Sequence, residues 1–230
     1  MRFTKCEQQD DRFVGIKSSK YMKSLARKVI FLVGSALLTV NLSSFNSTEP
    51  LTYHVNLEKS TLHWTGYYLF SFSEHIGTIG LSNGEIKISD REIISGFFDI
   101  DMKSIRNLDI PDGAGKDLES HLMSDDFFSA DKFPTAHFEI IKTEKIKDPQ
   151  QGGPNYDVTG DLTIKGMKNS LTFPALIKFS DDGLEAKAKF KFDRTKWNVR
   201  YNSGKFFSDV GDGAISDAIG MEIQLVTSKK

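Results

Sequence analysis

Five histidines, one cysteine and a few closely spaced carboxylates are the residues of this 230-residue chain able to do more than pack. The histidines are His54, His63, His75, His121 and His137, and no two share the His-Glu-x-x-His or similar spacing that sets two imidazoles on one metal ion. No metal site is expected from them. His75 follows Glu74 at a strand start, and His121 stands four residues before Asp125, so either could form half of a metal pair or a general base. Such a base works only with a nucleophile or a held water beside it, and the sequence displays no such partner. Cys6 falls in the first few residues and leaves the body of the chain without disulfide or thiolate chemistry. There is no nucleophile elbow and no phosphate-binding loop; Gly152-Gly153 and Gly211-Asp212-Gly213 read as turns. Asp193 and Arg194, just ahead of Thr195 and Trp197, suit a buried ion pair closing one end of the fold better than an anion contact. These residues point to binding without catalysis and without a cofactor.

The elements that position them are strands. In residues 184–193, Leu184, Ala186, Ala188, Phe190 and Phe192 alternate with Glu185, Lys187, Lys189 and Lys191, the pattern of a strand with one wet face. The same period runs through 156–165 and 170–179, where Pro174 points outward and asks for an edge or bulge. With 62–69, 76–89, 92–105, 135–146 and 219–227, eight strands are expected, several of them ten residues or longer. Their connections at Asp90-Arg91, Gly166-Met167 and Asp181-Asp182-Gly183 are tight hairpins. Long antiparallel strands joined this way remove their edges by closing, so the expected fold is all-β, an eight-stranded antiparallel barrel.

One stretch interrupts the period of two. Between the third and fourth expected strands, residues 116–138 place Leu118 and Leu122 four apart beside His121, as on a helical turn or two. Ser124 followed by Asp125 and Asp126 resembles a second helix start, and Pro134 ends the excursion. Phe127, Phe128 and Phe133 need an apolar place, which makes this segment a lid or rim over one barrel end, with His75 and His121 at its edge.

The inward face reads Ile86, Ile88, Ile94, Phe98, Ile100, Phe138, Ile140, Phe173, Ile177, Phe190, Phe192, Met221 and Ile223, without a charge among them. Side chains alone can fill a barrel of eight strands, or it can hold one ligand. Small inward residues, Gly96, Gly160, Ala175, Ala186 and Ala188, lean toward a cavity. A long apolar cavity suits an isoprenoid or acyl chain, each buried methylene contributing about 0.8 kcal/mol.

Composition sets the surroundings. A net charge of -1 argues against a nucleic-acid partner. Residues 22–48 read as an export signal, with Lys23, Arg27 and Lys28 ahead of an apolar run of twelve, 29–40, that falls short of the roughly 20 residues a membrane helix needs. Met22 is then the expected start, residues 1–21 an upstream extension, and 51–230 the barrel domain; an uncleaved N-terminal anchor is the alternative. The mature protein is expected to be periplasmic or extracellular, in a position for transient membrane contact, and its oligomeric state has no signature here.

The segments SEHIGTIGLSNGEIKI (73–88), FDIDMKSI (98–105), KDLESHLMSDDFFSADKFPTAHFEI (116–140), YDVTGDLTIKGMKNSLTFP (156–174) and DRTKWNV (193–199) together resemble the YceI-like family. The resemblance implies a lipocalin-like exported barrel enclosing an apolar tunnel for a polyisoprenoid or similar lipid, with no catalysis required. Two departures stand out: the segment 109–115, DIPDGAG, is longer than in many members, and Trp197-Asn198 stands where Phe-Gly is common.

Overall fold

Alternating sequence becomes alternating burial, most regularly along residues 156–164, in the computed structural model, which describes residues 49–208 and 211–229. The upstream extension, the export signal and Cys6 lie outside the described residues. The strands are β1 (Leu51–Val55), β2 (Thr61–Tyr68), β3 (Glu74–Ser89), β4 (Glu92–Asn107), β5 (Thr135–Lys145), β6 (Tyr156–Ile164), β7 (Met167–Ser180), β8 (Gly183–Asp193) and β9 (Ile215–Ser228). All pairings are antiparallel, and β2-β9-β8-β7-β6-β5-β4-β3 forms a ring that returns to β2. The fold is thus a closed eight-stranded barrel.

A ninth strand was not expected. β1 pairs with β3 through Leu51–His54 and with β9 through His54 and Val55. It therefore occupies the same gap as β2, lower down, and the two are one stave interrupted at Asn56, whose side-chain oxygen accepts from the Glu58 and Lys59 amides. Five residues with only Tyr53 and Val55 buried give too short an alternation to stand out in sequence.

Between β4 and β5 lies one helix, α1 (Asp112–Met123), not two short turns. It begins inside the long 109–115 segment. Pro111 precedes it without a side-chain cap, and Glu119 ties the helix to the barrel by accepting the Asn107 amide at 2.8 Å. Ser124 closes this helix and starts no other: its amide and hydroxyl both donate to the His121 carbonyl, at 3.1 and 2.7 Å. The chain then turns through Asp125–Phe128, with the Phe128 and Ala130 amides donating back to Leu122 and Met123.

Bulges in β4 change which residues face inward. Ile88 pairs with Ile93 while Lys87 pairs with Ser95, so Ile94 is the extra residue. Counting back by twos from Phe98 and Gly96 points to Ile94, but the bulge shifts the face by one. Ile93 packs against the core and Ile94 is 55% exposed.

An apolar cavity with a polar mouth

The barrel interior is not filled. It holds a cavity of about 490 Å³, well inside the range of small-molecule sites. β4 supplies Phe98 and Ile100 to its wall, β5 Phe138 and Ile140, β7 Phe173 and Ile177, β8 Phe190 and Phe192, β9 Met221 and Ile223, and β3 Ile86. The aromatic rings form a belt across strands: Phe98 and Phe138 at 6.3 Å, Phe138 and Phe173 at 5.7 Å, and Phe173 stacked on Phe190 at 4.2 Å. Two expected wall residues fall elsewhere. Ile94 faces solvent, and Ile88 is buried at the far end of the barrel, outside the cavity lining.

The small inward residues divide into two groups. Ala175, Ala186 and Ala188 line the cavity, whereas Gly160 lies under the Phe138 ring and Gly96 under Ile140 and Ile86. A Cβ on Gly160 would stand 2.3 Å from Phe138 Cζ, so this glycine accommodates a ring and leaves no void of its own.

One end is shut by buried Leu184, Ile177 and Leu225, with Tyr156 edge-on to Phe179. At the other end the lining becomes polar and accessible: Tyr68, His75, His121, Tyr201, Asn202 and the exposed Gly213. His75 is held on both sides there. Its Nδ1 lies 2.8 Å from Asp109 Oδ2 and its Nε2 3.3 Å from the Tyr68 hydroxyl. With Nδ1–H donating to the carboxylate, Nε2 faces the Tyr68 hydroxyl, and the two rings stand edge to face at 5.6 Å. Asp109 also accepts from the Ile76 amide at 2.8 Å and from Asn107. Burial works against the charged Asp109, but the His75, Ile76 and Asn107 hydrogen bonds outweigh it and hold the carboxyl below its ordinary range.

His121, on α1, meets Asp126 and not Asp125, its Nε2 lying 3.3 Å from Oδ2, and its ring stands edge-on to Phe127 and Tyr201. Leu118, Leu122, Phe127 and Phe128 line the cavity alongside it. Phe133, placed with them from sequence, is 37% exposed and lies over Gly166 in the β6–β7 turn instead. The Phe127 carbonyl accepts from Lys165 Nζ at 2.7 Å, which fastens the post-helix turns to that same hairpin.

Arg194 is 2% exposed and lines the mouth from below. It is not paired with Asp193; its guanidinium donates to the carbonyls of Ser216, Val199 and Ile215 and stands 4.0 Å from Asp217. Burial lowers its pKa, opposed by Asp217 and Asp193. Asp193 instead caps the Arg194–Trp197 turn through Thr195 and pairs with Lys205. At the end of that turn Asn198 is left-handed, φ 59°, a conformation Asn tolerates where Gly is the common choice. Among the described residues no cluster of three or more His, Cys, Asp or Glu is placed to hold a metal ion.

Sequence reading missed several members of this site. Tyr68 and Trp64 continue the inward alternation of Leu62 and could have been found by extending it. Asp109 and Tyr201 sit on irregular segments, where no period predicts direction.

A closed antiparallel barrel around an apolar cavity with one polar mouth defines the class of lipocalin-like barrels. Within it the family is specific: the YceI-like domain matches residues 53–227, and the chain belongs to that family. Protein YceI of Escherichia coli O157:H7 and of Shigella flexneri are each 32% identical over 100 residues, 40% of this chain and 48% of theirs. The match thus spans about half the length of these relatives. Among solved structures, Burkholderia cenocepacia BcnA superposes with a TM-score of 0.57 at 22% identity, over 76% of this chain and 99% of that one. A polyisoprenoid binding domain from Saccharophagus degradans, implicated in plant cell wall breakdown, superposes at 0.52 with 13% identity, over 77% and 98%. At these identities the superpositions speak for the fold.

Proposed function

We propose that this chain is an exported, non-catalytic barrel, residues 51–230, that holds and carries an isoprenoid or similar long-chain lipid in its interior. The observation that carries this reading is the apolar cavity, about 490 Å³, whose hydrogen-bonding groups are confined to one end. A hydrocarbon tail buried along Phe98, Phe138, Phe173 and Phe190 gains roughly 0.8 kcal/mol per methylene and needs no charged anchor. The mouth meets the head group with phenol, imidazole and amide from Tyr68, Tyr201, His75 and Asn202. Arg194 is already engaged by three carbonyls. This balance favours a hydroxyl or carbonyl head group over a diphosphate. The family match and the named binding of the Saccharophagus domain support the same ligand class.

The test is extraction of the natively produced protein after denaturation, with mass spectrometry of the lipid phase. A long-chain lipid in near-stoichiometric amount is expected. Repeated absence of lipid, together with no uptake of polyprenol or quinone by the delipidated protein, rejects the carrier.

A second reading draws on the Tyr68–His75–Asp109 chain of hydrogen bonds, an arrangement able to move a proton at the mouth. An enzyme acting on a lipid through His75 or His121 would lose turnover in the His75→Ala/His121→Ala double variant while retaining bound lipid.

A further inference from the structure

The two ends of the barrel differ in what their connections expose. At the shut end the turns are polar: Asp90-Arg91, the 147–155 loop KDPQQGGPN, and Asp181-Asp182. Turn chemistry selects such residues. At the mouth end the β2–β3 hairpin tip reads LFSFS, with Leu69, Phe70 and Phe72 49%, 69% and 110% exposed. The β8–β9 excursion adds Phe206 and Phe207, 44% and 49% exposed. The two segments adjoin, since the Leu69 amide donates to the Ala214 carbonyl at 2.8 Å and Leu69 Cδ2 approaches Gly204. None of these five side chains lines the cavity, so holding a ligand does not account for them.

We propose that this rim is a membrane-docking surface, its phenylalanines entering the headgroup–acyl boundary of a bilayer with the mouth of the cavity facing the lipid. The surface is continuous with that mouth: Tyr68 ends the strand that runs into Leu69, and Tyr201 and Asn202 precede Phe206 on the same excursion. A tail too apolar for water then passes between bilayer and cavity across an apolar rim. Arg200 lies with its guanidinium 4.4 Å above the Phe206 ring, so the charge can stay at headgroup level while the ring enters. Lys205 nearby is bound by Asp193 and Asp217 at 2.9 Å, so its charge is met within the protein. The partner is accordingly a bilayer entered by apolar insertion, and zwitterionic lipid suffices. This inference rests on the carrier reading for its purpose, although the docking itself is measured separately.

The full chain is used, with Cys6→Ser and a single new cysteine, Phe72→Cys, carrying an environment-sensitive fluorophore. A matching probe at Gln151→Cys, in the polar loop at the shut end, serves as control. On addition of phosphatidylcholine vesicles, the probe at 72 is expected to shift to the blue and brighten severalfold, equally at about 0.5 M salt, while the probe at 151 stays unchanged. Because the readout is local, attachment through residues 22–48 does not imitate it. No change at 72, or equal change at both positions, overturns the proposal, as does insertion that disappears at high salt. The Phe70→Ser/Phe72→Ser variant is expected to keep its extracted lipid but to take up a fluorescent polyprenol from vesicles about tenfold more slowly. Unchanged uptake overturns docking as the route. Loss of lipid from the unaltered protein instead tells against the carrier reading, whatever the probe at 72 reports.

Discussion

Phe138 shows how closely the wall of the cavity is fitted. Its ring covers Gly160, pairs with Phe98 and tilts against Phe173, so it links three strands through one side chain. Gly160→Ala would push a methyl into that ring and into the Glu139 carbonyl, 2.5 Å from the new Cβ. A loss of about 1–3 kcal/mol is expected, read from the urea midpoint at constant m. The Ile93 and Ile94 pair tests the bulge. Ile93→Asp is expected to cost more than about 2 kcal/mol and Ile94→Asp within about 0.5, measured by the same titration. Most of the wall was legible as alternation, because a barrel strand repeats strictly by two. The bulge was not, because it depends on how Lys87 and Ile88 pair with another strand.

At the scale of elements, β6 and β8 are as the sequence implies, whereas α1 is not. The 109–115 segment carries two glycines and a proline and has no capping side chain, so local propensity argues against a helix there. Tertiary contacts decide it: α1 packs along β4, and Glu119 satisfies the Asn107 amide. The turns after α1 depend on Lys165, whose pKa is lowered by its own burial and whose ammonium holds the Phe127 carbonyl. Lys165→Met is expected to cost about 1 kcal/mol and to speed amide exchange at Phe127–Ala130, seen by mass spectrometry or NMR. The β3–β4 edge of the mouth depends on Asp109. Because its folded pKa lies below the ordinary 3.8, its stabilising contribution is complete above that unfolded value and is lost as pH falls through the lower folded one. Amide exchange at Ile76 is expected to rise steeply only below about pH 4, and Asp109→Asn to show the loosened mouth already at neutral pH.

For the whole molecule, a ligand held in the cavity would add to stability. Under the carrier reading, delipidation lowers stability by about 2.7 kcal/mol if the lipid was present at 100 times its Kd, and returning the lipid restores the Tm. Barrel closure was foreseeable from strand length and tight hairpins, while an open interior was not separable from a filled one by pattern alone. What separates them is the Phe98–Phe138–Phe173–Phe190 belt lying around the wall and not across the middle.

The interrupted stave has a consequence for how the barrel is made. β1 and β2 lie early in the chain, yet both are sealed by β9, with Thr61 opposite Gln224 and Val55 opposite Thr227. Until the last strand has been synthesised, β1, β2 and β8 lack the partner that completes the ring. Such distant contacts slow folding, to milliseconds or seconds by the usual relation with contact order. A chain emerging from a ribosome therefore stays open-edged throughout elongation. That delay is compatible with threading across a membrane before folding, and deletion of the final strand is expected to leave a species that aggregates through its exposed edges.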